Sequence, residues 1–390
     1  MNLSRGTVVY GLGLATACVL LAAGVYAQAR PSGQPGGQQP QLSEDVFKNV
    51  RVLRGIPVKE FMGTMGFFSA SLGMNCTDCH GGASASDWAN YATDTPLKNR
   101  ARQMMAMVNA INKANFGGRS FVTCYTCHRG SQRPKVIPSL AVQYGEPPPD
   151  DPDEVDVLLG ARQTATPDQI LDRYIAALGG TQALARLTSF TAKGTYEGFD
   201  SDFAKAPVDI YAKSPDLRAT VVHMVGGDVT STYDGRDAWL AAPATLAPVP
   251  LMPLVGADLG GARLDAQLSF PGQIKQLLTN WRADFPAITI DDQPVQVVQG
   301  SMGDGTRVKL YFDRASGLLV RQTRFTPTAV GTIPTHIVYS DYRPVPDFGV
   351  TLPFSWQVTW VDGQSTISVT DVQPNVPIDA ATFARPTPPR

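Results

Sequence analysis

Cys76-Thr77-Asp78-Cys79-His80 and Cys124-Tyr125-Thr126-Cys127-His128 decide how this chain is read. Both are Cys-x-x-Cys-His. At that spacing two thiols add across the vinyl groups of one haem, and the following His becomes an axial ligand of its iron. Together they use four of the chain's five cysteines. Zinc clips and redox dithiols also use Cys-x-x-Cys pairs, but neither accounts for a His placed directly after both pairs. The sequence therefore predicts two covalently bound haem c groups, carried by Cys76, Cys79, Cys124 and Cys127, with His80 and His128 as metal ligands.

Each motif follows a helical pattern. Phe61, Met65, Phe68 and Leu72 share one side of a predicted helix over Val58–Leu72, which Gly73 ends. Thr95-Pro96 reads as an N-cap followed by Pro at the first helical position. The helix that follows runs to about Ala114, with Leu97, Ala101, Met104, Val108 and Ile111 as its apolar stripe. A helix bearing Met, a short connection and a Cys-x-x-Cys-His thus occurs twice. The chain has four histidines, and the two outside the motifs, His223 and His336, fall in predicted strands far downstream, where a structural role is expected. That leaves methionine as the sixth iron ligand. Met65 and Met104 are the candidates, with Met62, Met105 and above all Met107 as neighbours that could substitute. Arg100, Arg102, Arg119 and Arg129 lie near enough in sequence to partner haem propionates.

The ends of the chain fill in the organisation. Arg5 followed by an apolar or small run, Thr7 to Ala27, and Val25-Tyr26-Ala27 before Gln28, reads as a secretory signal over residues 1–27. An uncleaved membrane anchor and lipidation at Cys18 are the alternatives, although Cys18 lies inside the run and not at its end. Either way the expected location is periplasmic or otherwise extracytoplasmic, where covalent haem attachment takes place in bacteria. Residues 28–42 are a Gly/Pro/Gln-rich tether, and a short helix opens at Ser43, with Val46, Val50 and Leu53 on one face. A cytochrome domain is expected over 43–140. The stretch Glu146–Asp156 holds three consecutive prolines and five acidic residues in its last seven, and marks a solvated linker over 141–165. From 166 to 390 a Thr166-Pro167-Asp168 helix start gives way to two-residue alternation: Phe190–Tyr196, Val208–Ala212, Arg218–Met224, Val308–Phe312, Leu319–Phe325, His336–Tyr342, Phe354–Trp360 and Thr366–Val372. Asp234-Gly235, Ser316-Gly317 and Asp362-Gly363 punctuate them, and a further helix is expected over Gln273–Trp281. The fold class is α+β and multidomain: a small α-helical dihaem domain, then a mainly antiparallel β domain. Composition is that of a globular chain, 43% hydrophobic and 17% charged, and a net charge of −1 gives no signal for nucleic acid.

Val46-Phe47-Lys48-Asn49-Val50 through Met65 to His80, together with Ala101-Arg102-Gln103-Met104 through Thr123 to Gly130, resembles the cytochrome c subunit of bacterial photosynthetic reaction centres. The resemblance covers about a quarter of the chain and implies Met65 and Met104 as sixth ligands. That subunit has four haem motifs where this chain has two, and it lacks a β domain. What the resemblance implies here is an extracytoplasmic electron carrier, working between redox protein partners or with a membrane electron-transfer complex. The region from Thr166 onward more loosely resembles lipoprotein-carrier-like (LolA-like) half-barrels, through Gly179-Gly180 after a helix and Ile378-Asp379 with Phe383 near the end. That resemblance implies an apolar ligand in a curved sheet. A dihaem peroxidase and a lipid- or lipoprotein-binding module with accessory haems are the competing functions.

If both motifs are loaded, the intact mass is that of the processed chain plus two haems, and acid-acetone extraction removes neither. A mass with one haem, or with zinc, contradicts this reading.

Overall fold

A computed structural model describes residues 39–81, 88–146, 151–155, 165–283, 285–345 and 347–389. The expected leader and nearly all of the tether lie outside these residues. No helix among the described residues is long and apolar enough to cross a membrane.

The N-terminal part is helical: α1 (Ser43–Val46), α2 (Val58–Leu72), α3 (Cys76–Cys79), α4 (Pro96–Asn115), α5 (Cys124–His128) and α6 (Leu140–Gln143). The two long helices match the sequence expectation because their ends are chemically marked. Pro57 precedes α2 and Gly73 closes it in the left-handed conformation. Thr95 caps α4 by accepting from Lys98 N–H, with Pro96 at the first position. The first helix is shorter than expected, a single turn. Ser43 Oγ donates to Leu53 O, and Glu44 accepts from Gly55 N–H, so the chain folds back on itself there.

Three more helices and all the strands follow: α7 (Pro167–Ala177), α8 (Gly180–Arg186), β1 (Ser189–Gly198), β2 (Ala206–Lys213), β3 (Leu217–Met224), β4 (Gly227–Tyr233), β5 (Ala238–Ala241), β6 (Leu251–Leu254), α9 (Gly256–Leu268), β7 (Thr279–Arg282), β8 (Ile288–Ile290), β9 (Gln293–Ser301), β10 (Arg307–Asp313), β11 (Leu319–Thr328), β12 (Gly331–Val345), β13 (Val350–Trp360) and β14 (Gly363–Pro374). The strands form one antiparallel sheet in the order β6-β5-β4-β3-β2-β1-β14-β13-β12-β11-β10-β9-β7, with β8 on β9. The first and last strands pair centrally, Phe190 opposite Pro374, and so join the two halves.

The sheet is curved, and α9 shows why. Arg218 on β3 donates to Ser269 Oγ at the end of α9 (2.6 Å), while Arg324 on β11 pairs with Asp265 one turn earlier (3.0 Å). In a flat sheet those strands would stand about 29 Å apart, whereas the whole of α9 is only about 20 Å long. The sheet therefore wraps around α9, whose Leu264 and Ala266 are buried. The main core lies on this concave side and includes Leu171, Leu178, Val308, Leu310, Phe312 and Ile367. The helix was expected further along, over Gln273–Trp281; that stretch holds a short 3-10 turn (Pro271–Gln276) and then β7.

Antiparallel order puts the β1–β2, β3–β4, β5–β6, β11–β12 and β13–β14 turns at one end of the sheet, and the helical part sits on that end. Val58 of α2 packs into a small cluster with Ala242, Ala247, Val249 and Met252. Trp88 Nε1 donates to Ala244 O (2.9 Å). Phe67 lies against Gly331, and Gly66 against Asp362.

Among the described residues of the acidic stretch Asp151 and Glu154 are exposed, as its composition suggested, but Asp153 is not. Asp153 is only 9% exposed. It accepts from Tyr311 Oη (2.9 Å), Thr323 Oγ1 (2.9 Å) and the His336 ring, on the opposite face from α9. The buried Lys309 ammonium donates to the carbonyls of Asp153 (2.9 Å) and Val155. Burial works against the Asp153 charge, but the His336, Thr323 and Tyr311 contacts outweigh it and hold the carboxyl below its ordinary pKa. A lowered folded-state pKa means stability present at neutral pH and lost as pH falls through that value.

A fragment of residues 151–390 should fold alone and unfold at a higher temperature than one of 164–390. Asp153→Ala in the longer fragment should cost about 2 kcal/mol in denaturant titration, since the His336 ring and the buried Thr323 hydroxyl lose their carboxylate partner. The difference should shrink in acid. Equal stability of the two fragments at neutral pH would show that the segment is not anchored.

Candidate functional site

Four- and five-residue helices cannot hold themselves together, because one turn does not repay the entropy of fixing it. Both motif helices are held by the same device. Asn75, just before Cys76, accepts from Asp78 N–H (3.0 Å), and Asp78 accepts in return from Asn75 N–H (2.8 Å). Thr123, just before Cys124, accepts from Thr126 N–H (3.3 Å), and Thr126 Oγ1 accepts from Thr123 N–H (3.0 Å). These are reciprocal capping boxes. In each, one of the two residues between the cysteines closes the cap, so the motif's variable positions fix its shape. The sequence carries the signal, Asn-x-x-Asp and Thr-x-x-Thr, but haem spacing drew attention to the cysteines and past the caps.

A second pair of clips acts two residues before each first cysteine. Ser69 Oγ of α2 donates to Met74 O. The buried Asn112 of α4 takes both sides of Val122, donating to its carbonyl (2.7 Å) and accepting from its N–H (3.0 Å). The two motifs are also joined. Gly130 N–H, just past the second motif, donates to Ser71 O at the end of α2 (3.0 Å). Gly73 allows this approach: it has φ +61° and a Cβ there would run into Gly130 O.

The histidines are oriented alike. His80 Nδ1 lies 3.0 Å from Tyr91 O, and His128 Nδ1 lies 3.0 Å from Ser131 O. A carbonyl can only accept, so Nδ1 carries the proton in both rings and Nε2 keeps its lone pair. Among the described residues no hydrogen bond engages either Nε2. Burial lowers the His80 pKa, with Lys98 adding to it and the Tyr91 carbonyl opposing. None of the four motif cysteines is in a disulfide. Burial pushes the Cys76, Cys79 and Cys124 thiols up, and the Asp362 carboxylate adds to this at Cys76.

Met65 and Met104 are half-buried, Met62 likewise, Met105 is buried within the helical packing, and Met107 is exposed. His223 sits between Asp209 (3.1 Å) and Asp228 (2.9 Å), and His336 is spent on Asp153, so both remaining histidines have polar partners on the sheet. Arg102 is engaged by Asp94, and Arg119 lies over the Phe121 ring. Asp362, on the β13–β14 turn, is a contributor the sequence did not reveal, because nearly three hundred residues separate it from Cys76. Its carboxyl is raised by burial, with Lys59 opposing. Among the described residues no three His, Cys, Asp or Glu side chains converge as a metal-ion cluster. A Cys pair with one oriented His is instead the set by which a chain holds a covalent porphyrin, the thiols for its vinyl groups and the imidazole for its iron, and the residues fit that group.

Residues 11–148 match the family described as the photosynthetic reaction centre cytochrome C subunit. The helical part of the chain resembles that subunit. The Thermochromatium tepidum subunit is 39% identical over 101 residues, which is 25% of this chain and 23% of the relative. The Roseobacter denitrificans subunit is 31% identical over 120 residues, covering 29% and 31% respectively. The chain thus spans 23% and 31% of the length of these two curated relatives. Among solved structures, a LolA superfamily protein from Nitrosomonas europaea aligns at 13% identity and TM-score 0.38, covering 57% of this chain and 98% of that one. A DUF1329 family protein from Desulfovibrio piger aligns at 11% identity and TM-score 0.40, covering 57% and 98%.

Asn112→Ala should leave the Val122 amide and carbonyl without partners and cost about 2 kcal/mol of stability. Thermal unfolding of the whole protein should show it, with Asn112→Asp intermediate because it keeps the acceptor. No change in either variant would mean that Val122 is held by something else.

Proposed function

We propose that this chain is an extracytoplasmic dihaem c-type cytochrome that carries electrons between redox partners. The observation that supports it best is the paired geometry of the motifs: two cysteines, in no disulfide, on each capped turn, and each His with Nδ1 committed to a carbonyl. Haem c, when bound, supplies a one-electron ferric/ferrous couple. Cys76 and Cys79 would hold one group and Cys124 and Cys127 the other, with His80 and His128 as proximal ligands. Tyr91 O and Ser131 O would fix the planes of those rings and raise their basicity as ligands. Met65 and Met104 would supply the sixth ligands from α2 and α4. A neutral thioether favours ferrous over ferric iron, so this assignment sets both potentials high for c-type haem. Two occupied sixth positions also distinguish a carrier from a peroxidase, which needs an open iron site.

The likeness to the reaction-centre subunit supports the helical part of this reading, and it extends to no particular partner. We further propose the partition into a cytochrome domain over 43–140 and a sheet domain over 166–390, exported by the N-terminal segment.

The test is spectroscopic. The oxidised protein should be low-spin at both irons, show the weak sulfur–iron absorption in the red, and bind cyanide slowly. Met65→His should keep its iron low-spin while lowering one potential, and Met65→Ala and Met104→Ala should each open one iron to cyanide. Rapid cyanide binding by the unaltered protein would overturn the methionine assignment and favour an enzymatic site.

A further inference from the structure

The near-zero net charge conceals a sharp division between the two motif segments. Residues 43–94, around the first motif, hold six acidic and four basic side chains. Residues 95–145, around the second, hold eight Lys and Arg and no Asp or Glu. Two of those eight are used inside the fold. Lys98 Nζ donates to the carbonyls of Tyr91 and Thr93 (2.7 Å each), and Arg102 pairs with Asp94 (2.7 Å). The other six, Arg100, Lys113, Arg119, Arg129, Arg133 and Lys135, are exposed, and none is in an ion pair among the described residues. The acidic run that follows in sequence does not neutralise them through Asp153, which is buried on the sheet.

Apolar side chains lie among these cations at the motif itself. Tyr125, between the two cysteines, is 50% exposed, and Phe121, three residues before Cys124, is 59% exposed beneath the Arg119 guanidinium. Val136, Ile137 and Leu140 continue the exposed apolar surface beyond Lys135. Exposed aromatic side chains within a segment whose charge has one sign suit a transient protein encounter: the charge steers and orients, and the apolar surface excludes water at contact.

We propose that the second motif segment is the docking face for an acidic redox protein, and that the first segment, with no such field, is not. This rests on the carrier function proposed above and names the class of one partner. Charge complementarity identifies the occupant. Even if the two propionates of one haem lie against this segment, its sign stays positive. An anionic lipid surface would accept the same charge. The cations, however, are spread along α4 and around the motif, and only the stretch after Lys135 offers the aliphatic side chains that a bilayer would take up.

The test uses the full chain with both haems confirmed by intact mass; a mass short of two haems would overturn the underlying reading, before any docking is measured. The reduced protein is mixed with trianionic hexacyanoferrate(III) or tricationic tris(phenanthroline)cobalt(III), matched for driving force. Flavodoxin serves as an acidic redox-protein probe in a binding titration. Low salt should favour the anionic reagent by about tenfold, high salt should close the gap, and flavodoxin binding should weaken in parallel. Lys113→Glu/Arg133→Glu/Lys135→Glu, none of which touches a motif, should reverse the reagent preference and abolish flavodoxin binding with the haem spectrum unchanged. Equal rates at low salt would overturn the proposal. So would sedimentation with phosphatidylglycerol vesicles at physiological ionic strength without flavodoxin binding, since that makes the face a lipid-binding surface.

Discussion

A reciprocal pair of hydrogen bonds across each motif turn is the constraint on which the site depends. Two thiols and an imidazole must stand on one short helix in fixed relation, and a single turn has no intrinsic stability. Asn75 with Asp78, and Thr123 with Thr126, supply the missing order from within the motif. The clips from Ser69 and Asn112 then tie each turn to a long helix, and those helices carry the methionines. Removing the caps would leave the right residues at the right spacing with no fixed geometry. The repeat seen in the sequence is therefore a repeat of supporting hydrogen bonds as well as of ligands.

Where local chemistry decides structure, the sequence was legible. Pro57 and Gly73 bound α2, Thr95-Pro96 opens α4, and Thr166 closes a capping box with Gln169 at the start of α7. The alternating strands also appear where expected, because each presents one face to the core around α9. What was missed depends on distant partners. Helix α9 has weak amphipathic character and two consecutive glycines, which argue against a helix when read locally. In the fold those glycines let Met302 and the Arg324 guanidinium lie against its backbone. Asp153 reads as a wet linker residue among other acids, yet its partners Tyr311, Thr323 and His336 lie more than 150 residues away. No window on the sequence contains that information. His336 shows the converse: its position in a strand was enough to assign it a structural role.

The joining of the helical part to the sheet follows from how little core the helical part owns. Among its described residues only five apolar side chains are buried: Leu53, Val58, Phe67, Met105 and Val108. Segments this small do not bury enough surface to offset the entropy of ordering them. Two of the five, Val58 and Phe67, are buried partly by sheet turns, at the β5–β6 connection and against Gly331. Gly66 is what permits the closest approach, because a Cβ there would fall 2.8 Å from the Asp362 carboxylate. The sheet end therefore acts as a wall for α2, and residues 38–390 form one compact unit.

The same shortage of core bears on the haem reading. Two porphyrins would be the largest apolar bodies in the helical part, and the exposed Phe121, Tyr125 and Met107 cluster in sequence around the second motif, where one of them would lie. At the first motif the surroundings are different. There Trp88 and Tyr91 stack beside His80, Trp88 is pinned to the sheet, and Asp362 reaches toward Cys76. Each motif has one exposed and one half-buried cysteine, and both lie near sheet turns, the first at Asp362 and the second through Thr123 at Gly331. They differ in the aromatic rings beside the first and the cationic residues around the second. Covalent attachment through two thiols would suit either motif, since a group held by apolar burial alone would be poorly retained by so small a core.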